Sequence, residues 1–134
     1  MHRRGHLYMS ELQGSSAQRQ MIAEINLLYG PALVLLDGLE AFVDGGPESG
    51  GKVSLDVMIA GLDRVVVDAV GVAMLRLHGT TRAVSAGRVF EQAQIARAAE
   101  LGLGVTRPEL IDVVTDDRAG QDVLARLRPV LLAP

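Results

Sequence analysis

The chain has no cysteine and no tryptophan. Without a thiol it cannot form disulfides, thiolate zinc sites or iron–sulfur clusters, and cysteine nucleophilic chemistry is excluded. Aromatic residues make up 3% of the sequence, so a core must be assembled from Val, Leu, Ile, Ala and Met. Lys52 is the single lysine among 13 basic residues, a bias that a GC-rich genome explains more simply than function does. Basic excess is also missing: the net charge of −3 lacks the footprint of a nucleic-acid binder. The most apolar run, Val65 to Leu77, is interrupted by Asp68 and Arg76 and is too short to span a bilayer. Met1–His6 has the charge of a secretion signal, but Leu7 to Arg19 is mixed and polar where the apolar stretch should follow. These absences predict a soluble, cytoplasmic protein with neither nucleic acid nor membrane as a partner.

What is present is 134 residues, 49% hydrophobic and 22% charged, which fits one globular domain and excludes wholesale disorder. The expected organisation is a mobile N-terminal segment over residues 1–14 and a single α/β domain over residues 15–130. Ser15-Ser16-Ala17-Gln18 has the spacing of a capping box, and Met21, Ile22, Ile25, Leu28 and Tyr29 make a helical stripe closed by Gly30-Pro31. Ala32–Leu36 is a short continuous apolar run, the pattern of a strand buried on both faces, ending in Asp37-Gly38. A Gly-rich loop over residues 44–51 leads to a second expected strand, Val53–Ala60. Gly61-Leu62-Asp63 then turns into an apolar helix over Arg64–His78. A third helix is expected over Val89–Leu101, a third strand over Ile111–Thr115 and a closing helix over Ala119–Arg128. This order predicts an α/β fold, a three-layer-like sandwich with a small, largely parallel sheet. Three strands are few for that class, so the sheet is expected to be completed by another subunit or by a missing N-terminal segment.

If the strands run parallel, Asp37, Asp63 and the Gly-rich loop meet at their carboxyl ends, where ligands bind in open α/β sheets. Two carboxylates beside backbone donors suit a divalent metal or acid–base work, which makes Asp37 and Asp63 the candidate metal ligands. Each has an equally ordinary structural reading, Asp63 as a helix N-cap and Asp37-Gly38 as a turn. Gly46–Lys52 matches the start of a phosphate-binding loop, G-x-x-x-x-G-K, but Val53 stands where Ser or Thr must reach magnesium. A strand also follows it where a helix should, and Asp44 and Glu48 add negative charge. A nucleotide loop is therefore not expected. Gly45, Gly46 and Lys52 remain as candidates for holding a cofactor or anion, with the loop as a lid.

Asp68 shares the only polar stripe of its helix with Arg64, either as a solvated i, i+4 pair or as a carboxylate facing the site. Glu91 projects into the apolar face of the third helix, where it is held by first-turn amides, functional, or a partner for a basic residue. The three histidines, His2, His6 and His78, lack metal-ligand spacing, and no G-x-S-x-G elbow is present.

Met21–Asn26, Leu36-Asp37-Gly38, Gly45-Gly46-Pro47 with Gly50, Ile59–Gly71, Phe90–Ile95 and Glu100–Gly104 follow one another in an order that resembles the C-terminal half of the domain-of-unknown-function 362 family. The resemblance runs from about Leu7 to Asp117. It implies no common reaction, so no catalytic role is carried over. Some members are fused to ferredoxin-like domains and described as iron–sulfur proteins, a part this cysteine-free chain lacks. Members also carry strands and helices ahead of the region matching Met21 onward. Where many have Asp-Pro this chain has Asp63-Arg64, a change that leaves the cap intact. The resemblance adds weight to Asp37, Asp63, Asp68 and Glu91 as one cluster.

The resulting expectation is a metal- or anion-dependent small-molecule site formed by Asp37, Asp63, Asp68 and Glu91, within about 6–8 Å of one another if they share a ligand. The rival expectation is a non-catalytic interaction module, an incomplete sheet with an exposed apolar edge that forms a homo-oligomer burying more than about 1,000 Å². A third is a fragment of a larger redox-associated protein.

Overall fold

The computed structural model describes residues 12, 14–45 and 49–134. The order is α1 (Gln18–Ile25), a 3-10 turn (Asn26–Leu28), β1 (Val34–Phe42), β2 (Lys52–Gly61), α2 (Arg64–Leu77) and a short α3 (Arg82–Ser85). A 3-10 turn (Val89–Glu91), α4 (Ala93–Glu100), a further turn (Pro108–Leu110) and α5 (Arg118–Leu131) complete it. Mixed helix and strand is as expected; the sheet is not. It has two strands, β1 and β2, and they are antiparallel, with Leu35 opposite Ala60 and Asp37 opposite Met58. The physical reason is the connection. Parallel strands need a crossover of about a dozen residues or more, usually a helix, and residues 43–51 are too few for one. The two strands are joined as a hairpin instead, with Val43 N–H donating to the Gly51 carbonyl at 2.9 Å.

β1 runs well beyond its expected end. Asp37 and Gly38 lie inside the strand rather than at a turn. The register slips between Gly38 and Glu40, where Leu39 faces both Leu55 and Asp56, and Asp56 takes the left-handed φ of 52° that such a bulge requires. The segment expected as a third strand, Ile111–Thr115, has no ladder partner and is irregular backbone.

The core lies on one side of the hairpin. α2 supplies Val65, Ala69, Val70, Ala73 and Met74 to it, and Leu55, Val57 and Ile59 of β2 pack against them. α4 adds Ile95 and Ala98, α5 adds Leu127 and Leu131, and α1 adds Ala23. Each Val, Leu or Met buried here contributes about 1.5–3 kcal/mol. α2 forms where expected because Asp63 caps it: Oδ1 accepts from Val65 N at 2.8 Å and Val66 N at 3.1 Å. α5 is capped in the same way by Asp117, which accepts from Gly120 N at 2.6 Å. The first helix lacks its expected cap, since the Ser15 hydroxyl turns onto Ala17 N at 3.1 Å and helix begins at Gln18.

The other side of the hairpin is bare. Leu33, Leu35, Leu39, Met58 and Leu62 are 57%, 60%, 54%, 55% and 80% exposed. β1 is therefore not buried on both faces. An isolated hairpin is marginal in water, and this one is held by what packs beneath it.

Candidate functional site

The antiparallel hairpin separates what a parallel sheet would gather. The Gly-rich loop sits at the Phe42–Lys52 end and Asp63 follows Gly61 at the opposite end, the length of β2 away. Ten residues of strand span about 30 Å, so the described residues of the loop lie far from Asp63. The loop also carries its own anion: Asp44 Oδ1 accepts from Gly51 N at 2.5 Å. Lys52 pairs with Glu40 at 3.3 Å and lies 5.1 Å from the centre of the Phe42 ring. Gly45 takes a left-handed φ of 60° beside this turn. Gly46 lies outside the described residues, as do His2, His6 and almost all of the expected mobile segment.

Asp63 is a structural hub. Besides capping α2, its Oδ2 accepts from Val105 N at 2.8 Å, so three amides share one carboxylate. Gly104 permits this approach, because a Cβ there would overlap the Asp63 carboxylate. Glu91 is exposed rather than buried in an apolar face. The helix expected over Val89–Leu101 breaks at the extended, buried Gln92, whose side chain donates to the Ala86 carbonyl at 3.0 Å. Glu91 consequently sits on the preceding turn and accepts from Arg88 N at 2.9 Å. His78 closes its own helix, with Nδ1 3.0 Å from the Met74 carbonyl.

Asp37 and Asp68 border one cavity of about 450 Å³ that runs along the open edge of β1, where the consecutive residues Val34 to Asp37 form one wall, with the Asp37 side chain on the outer face of the hairpin. α1, α2 and α4 supply the rest, including Ile22, Asn26, Arg64 and Gln94. Asp68 is half-buried and Gln94 Nε2 donates to its Oδ2 at 2.7 Å. Burial pushes its carboxyl above the usual Asp range, opposed by that hydrogen bond and by the charge of Arg19. The expected Arg64–Asp68 pair is not formed. Arg64 reaches the other way, donating to the Asn26 carbonyl at 2.6 Å, to Asn26 Oδ1 at 3.2 Å and to the Tyr29 carbonyl at 2.9 Å. Asp37 Oδ1 accepts from Leu39 N at 3.0 Å.

Asp63 and Glu91 do not line this cavity. Among the described residues no three His, Asp or Glu side chains come together in a way that could hold a metal ion. Sequence reasoning missed Asn26, Gln94 and the long reach of Arg64. Gln94 meets Asp68 across 26 residues of chain, and no local pattern announces that pairing.

The molecule is thus a mixed α/β chain whose hairpin is backed by helices on one side only. It belongs to the family described as domain of unknown function (DUF362), whose model matches residues 1–73. That match takes in α1, the hairpin, Asp37, Asp63 and Asp68 and ends inside α2, so Glu91, Gln94 and Gly104 lie beyond it. No curated protein and no solved structure matches the chain. No helix among the described residues is long and apolar enough to cross a membrane.

Proposed function

We propose that this chain is a non-catalytic interaction module that pairs with a second copy of itself through the outer face of its hairpin. The observation that carries this reading is the bare apolar face of Leu33, Leu35, Leu39, Met58 and Leu62. With Ala60 these side chains present on the order of 600 Å² of apolar surface, at the upper end of what a monomer leaves uncovered. A twofold apposition, which brings the same patch from both copies together, buries roughly 1,200 Å², above the roughly 1,000 Å² a specific interface needs. Asp37 and Asp56 are the uncompensated charges on this face, and toward the loop Glu40 and Lys52 neutralise each other at 3.3 Å. Sheet-on-sheet packing of this kind covers a face that the chain's own helices leave open.

The metal- or anion-dependent reading draws less support from the geometry. Two of its four carboxylates are engaged by backbone amides away from the cavity, and the loop amide that would face an anion is taken by Asp44. Sedimentation equilibrium of the purified chain tests the proposal. A dimer is expected, and Leu35→Lys with Met58→Lys should return it to a monomer with an intact thermal transition. A monomer at high micromolar concentration, or a dimer indifferent to both lysines, overturns the reading.

A further inference from the structure

We propose that the cavity along the open edge of β1 binds a small organic cation, an ammonium group carried on a short apolar chain, with Asp68 as its counter-charge. The side chains of the cavity point to a cationic ligand. Their donor groups are turned onto protein acceptors: both terminal nitrogens of Arg64 onto carbonyls and Asn26 Oδ1, Asn26 Nδ2 onto the Ile22 carbonyl at 2.8 Å, and Gln94 Nε2 onto Asp68. A carboxylate acceptor is left over, because Asp68 uses Oδ2 for Gln94 and keeps Oδ1.

Among the described residues Asp68 has no basic side chain within salt-bridge distance, and Arg19 acts on it only through space. A half-buried carboxylate in that position gains most from a cation that shares its low-dielectric surroundings. The remaining walls, Ile22, Leu36, Val67, Ala98 and Leu103, are apolar and suit an alkyl body. At about 450 Å³ the cavity falls in the range of small-molecule sites.

The experiment is a titration of the intact chain with n-butylammonium, followed by amide chemical shifts, with butyrate and n-butanol as controls. Saturable shifts at Leu36, Asp68 and Gln94 are expected for butylammonium alone. Asp68→Asn should weaken binding at least tenfold while keeping the fold, because its carbonyl still accepts from Gln94. Lengthening the chain to n-hexylammonium should tighten binding about tenfold through two further buried methylenes. Equal shifts from butyrate, unchanged affinity in a folded Asp68→Asn chain, or no saturable response to either amine overturns the proposal. Shifts confined to Leu39 and Met58 also overturn it, since they place the amine on the outer face.

Discussion

The carboxylate of Asp63 bonds to the backbone of Val105, 42 residues away, with Oδ2 to N at 2.8 Å. The same group caps α2 through its other oxygen, so one side chain fixes both the start of the central helix and the segment that leaves α4. Asp63→Ala is expected to cost about 2–3 kcal/mol, a lost cap plus a stranded amide. Asp63→Asn keeps the cap and loses only the acceptor facing Val105, so it should fall between the two. Urea unfolding of the three proteins checks the order, and equal losses for Ala and Asn would show that the Val105 bond carries the whole effect.

Gly104→Ala should destabilise by about 1–3 kcal/mol, since the new Cβ overlaps the Asp63 carboxylate. The cost comes from that one contact, so it should shrink in an Asp63→Ala background. A double-mutant cycle in urea is the measurement, and additive losses would mean that Gly104 is needed for some other reason.

How far the fold could be read from sequence follows from where its determinants lie. Asp63 ahead of an apolar stretch was legible as a cap, because capping is local. The family resemblance was legible too, and it is confirmed over residues 1–73. Asp37-Gly38 reads as a turn because those residue types favour turns; pairing with β2 overrides that preference and carries β1 on to Phe42. Ile111–Thr115 has the alternation of a strand but no edge to pair with, and pattern alone does not supply a partner. Glu91 reads as part of a continuous helix because nothing near Gln92 signals a break; the break is fixed by the hydrogen bond from Gln92 to Ala86. The cavity was half legible. Asp37 and Asp68 stood out as charges in apolar stretches, while Asn26 and Gln94 joined them only through folding.

The pH dependence of stability should carry the mark of Asp68. Its folded carboxyl titrates above the usual Asp range because burial disfavours the charge. At low pH the group is neutral in both the folded and unfolded chain and costs nothing. As pH rises through the ordinary Asp range the unfolded chain ionises first, so stability is lost until the folded group has ionised too. Asp68→Asn has no such penalty. Thermal melts should show it more stable than the parent at neutral pH, with the difference vanishing in acid, and a difference of the opposite sign would mean that Asp68 has a cationic partner in the native chain.

Asp37 interrupts the apolar outer face of the hairpin, opposite Met58 in the register and between Leu35 and Leu39 on its own strand. If two copies meet through this face, its carboxylate is desolvated on association and its only gain is the bond from Leu39 N that it already has in the monomer. Asp37→Val removes the charge, adds a residue suited to a pleated surface and should tighten self-association about tenfold or more. The direction discriminates between interfaces. Pairing through the backbone edge of β1 or β2 depends on main-chain donors and acceptors and changes little when an outward side chain is replaced. Concentration-dependent sedimentation of the Asp37→Val chain is the test, and weaker association would mean that the carboxylate itself makes a contact across the interface.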